Sequence, residues 1–186
     1  MVSSGSEGMW GCEGDMNLFE KIHSCPDIDY MNIHIWPYKW SWVRENTLKT
    51  NLPVAIANTD EYIDSHLAIA AKYGKPVVLE EFGFPRDDFQ FKKGTPTTAR
   101  DEYYAHVFGR IAESAAEEGL FAGLNFWGWG GSGRPASEVW SKGDDFLCDP
   151  PHEPQGWYSV FDCDSTTIAV IKQTTNVLTS QFTLQE

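Results

Sequence analysis

The chain has 186 residues, 41% of them hydrophobic and 22% charged, enough for one domain with a sizeable core. A formal charge of −13 without any basic stripe argues against a phosphate-backbone partner, so no nucleic acid is expected. No apolar run reaches the roughly 20 residues of a membrane-spanning helix, and the start of the chain lacks the charged and apolar parts of a secretory signal.

A strand stub is expected at Val2 to Ser4, then a helix from about Glu13 to His23 with Met16, Phe19 and Ile22 on one face. Four cysteines (Cys12, Cys25, Cys148, Cys163) are too few and too widely spaced for a disulfide scaffold or a CxxC zinc site. They read as buried thiols, with a Cys12–Cys25 bridge as the alternative. A buried strand at Tyr30 to Ile35 comes next. The helix after it is expected to open at Asn58, with Glu61 at capping-box spacing, to turn Ile63, Leu67 and Ala70 inward, and to stop at Gly74. A second strand, Pro76 to Glu81, leads to a helix from Thr98 that buries Tyr104, Val107, Phe108, Ile111 and Ala115. The third strand is Leu120 to Trp127, and a last helix begins near Ser165 with Ile168, Ile171 and Leu178 in register. Strand follows helix at intervals of roughly 46 residues, which predicts βαβ units and a parallel sheet. Doubling the pattern gives about eight units, the size of a (β/α)₈ TIM-type barrel. Residues 1–186 then form one half of such a barrel, about four βα units without an internal domain boundary.

Barrel active sites lie at the carboxyl ends of the strands. Those ends are Ser6-Glu7-Gly8, His34-Ile35-Trp36-Pro37, Glu80-Glu81-Phe82-Gly83 and Asn125-Phe126-Trp127-Gly128. All eight tryptophans (Trp10, Trp36, Trp40, Trp42, Trp127, Trp129, Trp140, Trp157) fall there or in the loops behind, outside every expected helix. Indoles collected on one side of a sheet suit sugars, whose C–H faces stack on rings while their hydroxyls take hydrogen bonds. Alternation sends Val77, Leu79 and Glu81 to one face, read as the barrel interior, and Glu80 toward the helices. His23, His66, His106 and His152 do not group with His34 and Glu81 at ligand-like positions. They read as surface histidines, and no metal or cofactor is expected.

Four phrases in this order resemble glycoside hydrolase family five, specifically its endo-β-1,4-mannanases, over nearly the whole chain. They are His34-Ile-Trp-Pro with Trp40 and Trp42, Leu79-Glu-Glu-Phe-Gly83, Asn125-Phe-Trp-Gly-Trp-Gly-Gly131, and Asp149-Pro-Pro-His-Glu-Pro-Gln-Gly-Trp-Tyr-Ser-Val-Phe161. The resemblance places the chain at the fifth to eighth barrel units and implies Glu81 as catalytic nucleophile, with His34 as the active-site histidine of the sixth strand. Trp36 stands where many members have a tyrosine that donates to the nucleophile, and its indole N–H is expected to substitute. Trp127 is implied as the floor of the reacting subsite, Trp40 and Trp129 as further substrate contacts, and Glu7 as a substrate-contacting acid. The mechanism implied is double displacement on mannan or a related β-1,4-linked polysaccharide, with the full-length enzyme exported.

The sequence departs from that family at one point. The acid/base glutamate of the family lies in an Asn-Glu-Pro phrase on the fourth strand, and no such phrase occurs here. Positioned acid/base help is worth about 10²- to 10⁴-fold, so cleavage by these residues alone is expected to be slow or absent. A half barrel also exposes two strand edges, which implies a separate amino-terminal half or a second copy to close it. A β-1,4-glucanase of the same family and a non-catalytic carbohydrate-binding remnant stand as alternative readings.

Overall fold

The computed structural model describes residues 1–92 and 94–183. Strands β1 (Met31–Ile35), β2 (Val77–Phe82) and β3 (Phe121–Phe126) form a parallel sheet in chain order. Helix α1 (Met16–His23) precedes β1, α2 (Leu52–Tyr73) joins β1 to β2, α3 (Thr98–Ala116) joins β2 to β3, and α4 (Ser165–Thr183) comes last. This is the alternation of a partial (β/α)₈ barrel. A small parallel pair, β4 (Trp129–Gly131) with β5 (Val160–Phe161), is added beyond β3 and had no signal in the sequence pattern.

Strands covered by helices need an unbroken apolar side. Met31, Ile33 and Ile35 supply it on β1, and Val77, Leu79 and Phe82 on β2; all six are fully buried. They pair Met31 with Val77, Ile33 with Leu79 and Ile35 with Phe82. Phe82 meets Tyr104 of α3 at 5.0 Å between ring centres, so this side looks to the helices. Asn32, His34, Val78 and Glu80 therefore occupy the inner side. The expected alternation is corrected here, since Val77 and Leu79 face the helices and Glu80 does not. The cause is a bulge. Register steps from Ile33–Leu79 to His34–Glu81, which leaves Glu80 as the extra residue and returns Glu81 to the side of His34.

Five other expectations change. The stub at residues 2–4 is not a strand: Asp29 N–H donates to Val2 O at 2.8 Å, and the rest of the segment hangs on side chains of Asn32, His23 and Tyr62. Helix α1 starts at Met16, because Asp15 accepts from Asn17 N–H, and α2 starts at Leu52 with proline in its first turn, burying Leu52 and Ala55 a full turn before Asn58. Cys12 is buried but Cys25 and Cys163 are exposed, and all four thiols are free, so Cys12 and Cys25 form no bridge. His23 and His66 are fully buried rather than at the surface. His66 Nε2 accepts from Met9 N–H at 2.9 Å and His23 Nε2 meets Ser4 Oγ at 2.8 Å, so both rings fasten the amino-terminal segment to the helices.

Two arginines, a residue type that is mostly exposed in folded proteins, are also fully buried. Arg86 donates to Asp164 through both terminal nitrogens and to the carbonyls of Gly156 (3.1 Å) and Ser159 (2.9 Å). Arg100 donates to the carbonyls of Phe84 (2.8 Å), Ser159 (3.1 Å) and Trp157. Removing one partner of such a pair leaves an uncompensated buried charge. Arg86→Met is expected to destabilise the chain by about 3–5 kcal/mol in a denaturant titration; a change below about 1 kcal/mol would contradict this account.

Burial lowers the His66 pKa to about 4 and shifts His23 in the same direction, since a charged ring has lost its water. Both rings fold neutral and take up protons more readily once unfolded. Their contribution is therefore intact above about pH 6.5 and is lost as the pH falls through about 4, roughly 3 kcal/mol for His66 alone. Urea midpoints measured across that window should fall steeply for the wild type and less steeply for His66→Gln. Parallel curves would refute the assignment.

Candidate active site

The bulge in β2 places two carboxylates on either side of one imidazole. His34 Nδ1 lies 3.4 Å from Glu81 Oε2, and His34 Nε2 lies 4.0 Å from Glu80 Oε2. Nδ1 is buried and has no hydrogen-bond partner among the described residues, so Glu81 is the group it faces. Glu80 is held from its other side by Tyr30, whose hydroxyl donates at 2.9 Å. Glu81 is about one-third exposed and points into a cleft of about 230 Å³. Its pKa is raised: burial is the main cause, the nearby charges of Glu7 and Glu80 add to it, and His34 and Lys39 oppose it.

Glu7, Trp36, Trp40 and Trp127 line the same cleft, so the fold brings six of the seven expected site residues together. Trp129 stands outside, more than half exposed at the start of β4. Trp36 differs from expectation in what it does. Among the described residues no hydrogen bond joins its indole to Glu81. Its ring is nearly buried, edge-on to Trp127 at 6.2 Å and Tyr158 at 5.2 Å, with the Lys39 ammonium 4.5 Å above it. Trp157 is likewise buried against Phe89 at 4.6 Å, so the tryptophans divide between those lining the cleft and those packed behind it.

The glycine after Phe82 has a steric reason. A Cβ on Gly83 would come within 2.8 Å of both Trp36 and Tyr158 and 3.1 Å of the Trp127 carbonyl. Only a bare backbone lets these rings close behind the Glu81 strand end. Trp127 is fixed by its backbone N–H donating to Phe82 O at 2.7 Å and by the Tyr104 hydroxyl donating to its carbonyl at 3.3 Å.

Sequence reasoning missed Lys39, Glu153 and Tyr158. Lys39 and Glu153 pair at 2.8 Å across the cleft, joining the loop after β1 to the loop before β5. The latter loop is organised by buried Asp149, which accepts from Gly156 N–H (2.8 Å), Tyr158 N–H (3.2 Å) and the Ser159 hydroxyl (2.5 Å). The signal was present, since Lys39 lies between Trp36 and Trp40 and the others lie inside the Asp149–Phe161 phrase, but nothing in one sequence joins the two loops. Among the described residues no three His, Cys, Asp or Glu side chains group as a metal site, and no helix is long and apolar enough to cross a membrane.

Comparison with known proteins places the chain in a family. The family model described as GH family 5 beta-mannosidase-like matches residues 1–182. A glutamate-to-alanine mutant of the glycoside hydrolase family 5 mannosidase from Rhizomucor miehei superposes with a TM-score of 0.85 at 34% identity, over 100% of this chain and 45% of that one. A second structure of that mannosidase, in complex with mannosyl-fructose, gives 0.81 at 34% identity over 92% and 43%. Mannan endo-1,4-beta-mannosidase 1 of Oryza sativa subsp. japonica is 26% identical over 141 residues, 68% of this chain and 30% of the relative. The chain thus spans about a third of the curated relatives and under half of the solved ones. With a family model matched along nearly its whole length, the chain belongs to the β-mannosidase-like glycoside hydrolases of family 5.

Proposed function

We propose that this chain carries the nucleophile side of a retaining glycoside hydrolase that cleaves β-1,4-mannosidic bonds in mannan-type saccharides. The observation that supports the reading is the Glu81 carboxylate facing an otherwise unpartnered His34 nitrogen in an aromatic cleft. In the first step a Glu81 oxygen attacks the anomeric carbon, and the leaving oxygen takes a proton from a second carboxylic acid. In the second step that carboxylate deprotonates a water, which breaks the glycosyl ester and restores Glu81. His34 with its proton on Nδ1 donates toward the ionised nucleophile and favours the charged form. Trp127 offers a ring face for the sugar, and Trp36 backs it from within the packed wall of the cleft. Glu7 is placed to hydrogen-bond a substrate hydroxyl.

No Asn-Glu-Pro phrase occurs in the 186 residues. The reading therefore assigns the proton donor to the part of the barrel that the relatives possess outside the span of this chain. Turnover of unactivated mannan belongs to the complete barrel. The mannosidase and mannanase relatives favour mannan over glucan as substrate.

Glu81→Ala in a barrel completed with its amino-terminal units should lower turnover of an aryl β-mannoside on the order of 10⁴-fold or more. Added azide should restore turnover and give the α-mannosyl azide, because an external anion replaces the missing nucleophile on the same face. A β-azide would mark Glu81 as the acid/base instead, and unaltered turnover would remove it from the chemistry.

The raised Glu81 pKa sets the acid side of the pH profile. The nucleophile must be ionised, so kcat/KM is lost as the pH falls through that value. Glu7 helps to raise it. Glu7→Gln is therefore expected to move the acid limb of kcat/KM to lower pH. A limb that stays in place or moves upward would contradict the charge coupling.

A further inference from the structure

A second groove lies beside the catalytic cleft, bounded by the turn at Trp10–Cys12, the Trp40–Trp42 turn and the middle of α2. Its volume of about 390 Å³ falls within the roughly 300–1,000 Å³ typical of ligand pockets. Trp10 and Trp42, with Met9 and Met16 beside them, form its walls, and Asn58, Glu61, Tyr62 and Ser65 come from one face of α2, at the three- and four-residue spacing of a helix. Trp10 is 46% exposed, a large ring left in water beside an open groove. The Tyr62 hydroxyl is spent on the Glu7 carbonyl at 2.7 Å, so Tyr62 offers its ring.

Trp40 connects the two sites. It lines the cleft that holds Glu81, and its ring meets Trp10 at 5.6 Å, Trp42 at 5.0 Å and Tyr62 at 5.1 Å. A chain leaving the cleft over Trp40 would pass directly onto the second groove. Flat indole walls with an amide, a carboxylate and a hydroxyl on the rim match what a pyranose presents, a C–H face and a ring of hydroxyls. Glu61 and the net charge of −13 disfavour an anionic ligand. An apolar peptide would leave the rim groups without partners.

We infer that this groove binds distal residues of a neutral β-1,4-linked mannan chain whose other end occupies the catalytic cleft, an inference that rests on the mannoside reading of Glu81. The groove grips the polymer and holds no reacting group.

Calorimetric titration of the 186-residue chain with mannohexaose and mannobiose tests it, using Trp10→Ala, Trp10→Phe, Asn58→Ala and Trp127→Ala. Trp10→Ala and Asn58→Ala should weaken mannohexaose by about tenfold with little effect on mannobiose, which fits within the cleft alone. Trp10→Phe keeps an aromatic face and should recover most of the loss, which separates stacking from a folding defect. If Trp127→Ala abolishes hexaose binding while the Trp10 and Asn58 variants bind like the wild type, the groove inference fails and the mannoside reading stands. If the wild type binds cellohexaose but neither mannan oligosaccharide, the mannoside reading fails and takes the groove's ligand with it.

Discussion

The position of one inserted residue in β2 governs where the charge in this molecule lies. Leu79 faces the helix layer, so strict alternation would send Glu80 inward and Glu81 back among the aromatic side chains of α3. An unpaired carboxylate there would cost several kcal/mol or be forced to take up a proton. The bulge at Glu80 removes that conflict. It keeps both carboxylates on the inner side, lets Phe82 resume the helix-facing pattern and brings His34 into register with Glu81. The strand thus delivers a paired carboxylate and imidazole at its carboxyl end without giving up the apolar face that attaches it to α3.

Everything above that strand end depends on a loop that has almost no regular structure. The Asp149–Phe161 segment contains only the two residues of β5, yet it supplies Tyr158, Glu153 and the backing of Trp36. Its order comes from buried charge rather than from a backbone ladder. Asp149 gathers the loop's own N–H groups, while Arg86 and Arg100 fan out to its carbonyls from below. A segment with this much proline cannot satisfy its backbone by sheet pairing, so donors from side chains take over. Arginine suits that task because its fork presents several fixed N–H groups at once.

Strand and helix positions were legible because their signals are local: β1, β2, β3, α3 and α4 lie close to where apolar periodicity places them. Helix α2 was entered late because a capping-box spacing at Asn58 resembles a start, whereas Leu52 and Pro53 open the helix more than a full turn earlier. The bulge was invisible, since Val-Val-Leu-Glu-Glu-Phe satisfies alternation in two ways and only pairing with β1 selects one. The buried histidines were misread and the buried arginines passed unnoticed for the same reason. Their types are usually exposed, and their partners (Met9, Ser4, Gly156, Ser159) are backbone or small groups far along the chain. The phrases around His34, Glu81 and Trp127 made most of the cleft legible because they collect five of its six expected residues into short runs, with Glu7 alone outside them.

The charges around Glu81 form a balance in which no single partner is sufficient. Burial, Glu7 and Glu80 all oppose ionisation of a group whose proposed work requires it, and His34 and Lys39 act against them. Lys39 does so while pairing with Glu153, which keeps another carboxylate at the cleft from adding its full repulsion. It also rests on the Trp36 ring, so the cation that tempers Glu81 is held by an aromatic wall of the same cleft. Substrate that displaced water from the cleft would strengthen every one of these interactions together, attractive and repulsive alike. The outcome then depends on geometry more than on any one charge: the nearest partner dominates as the dielectric falls, and the nearest cationic candidate to Glu81 is the His34 nitrogen that the bulge brought into register.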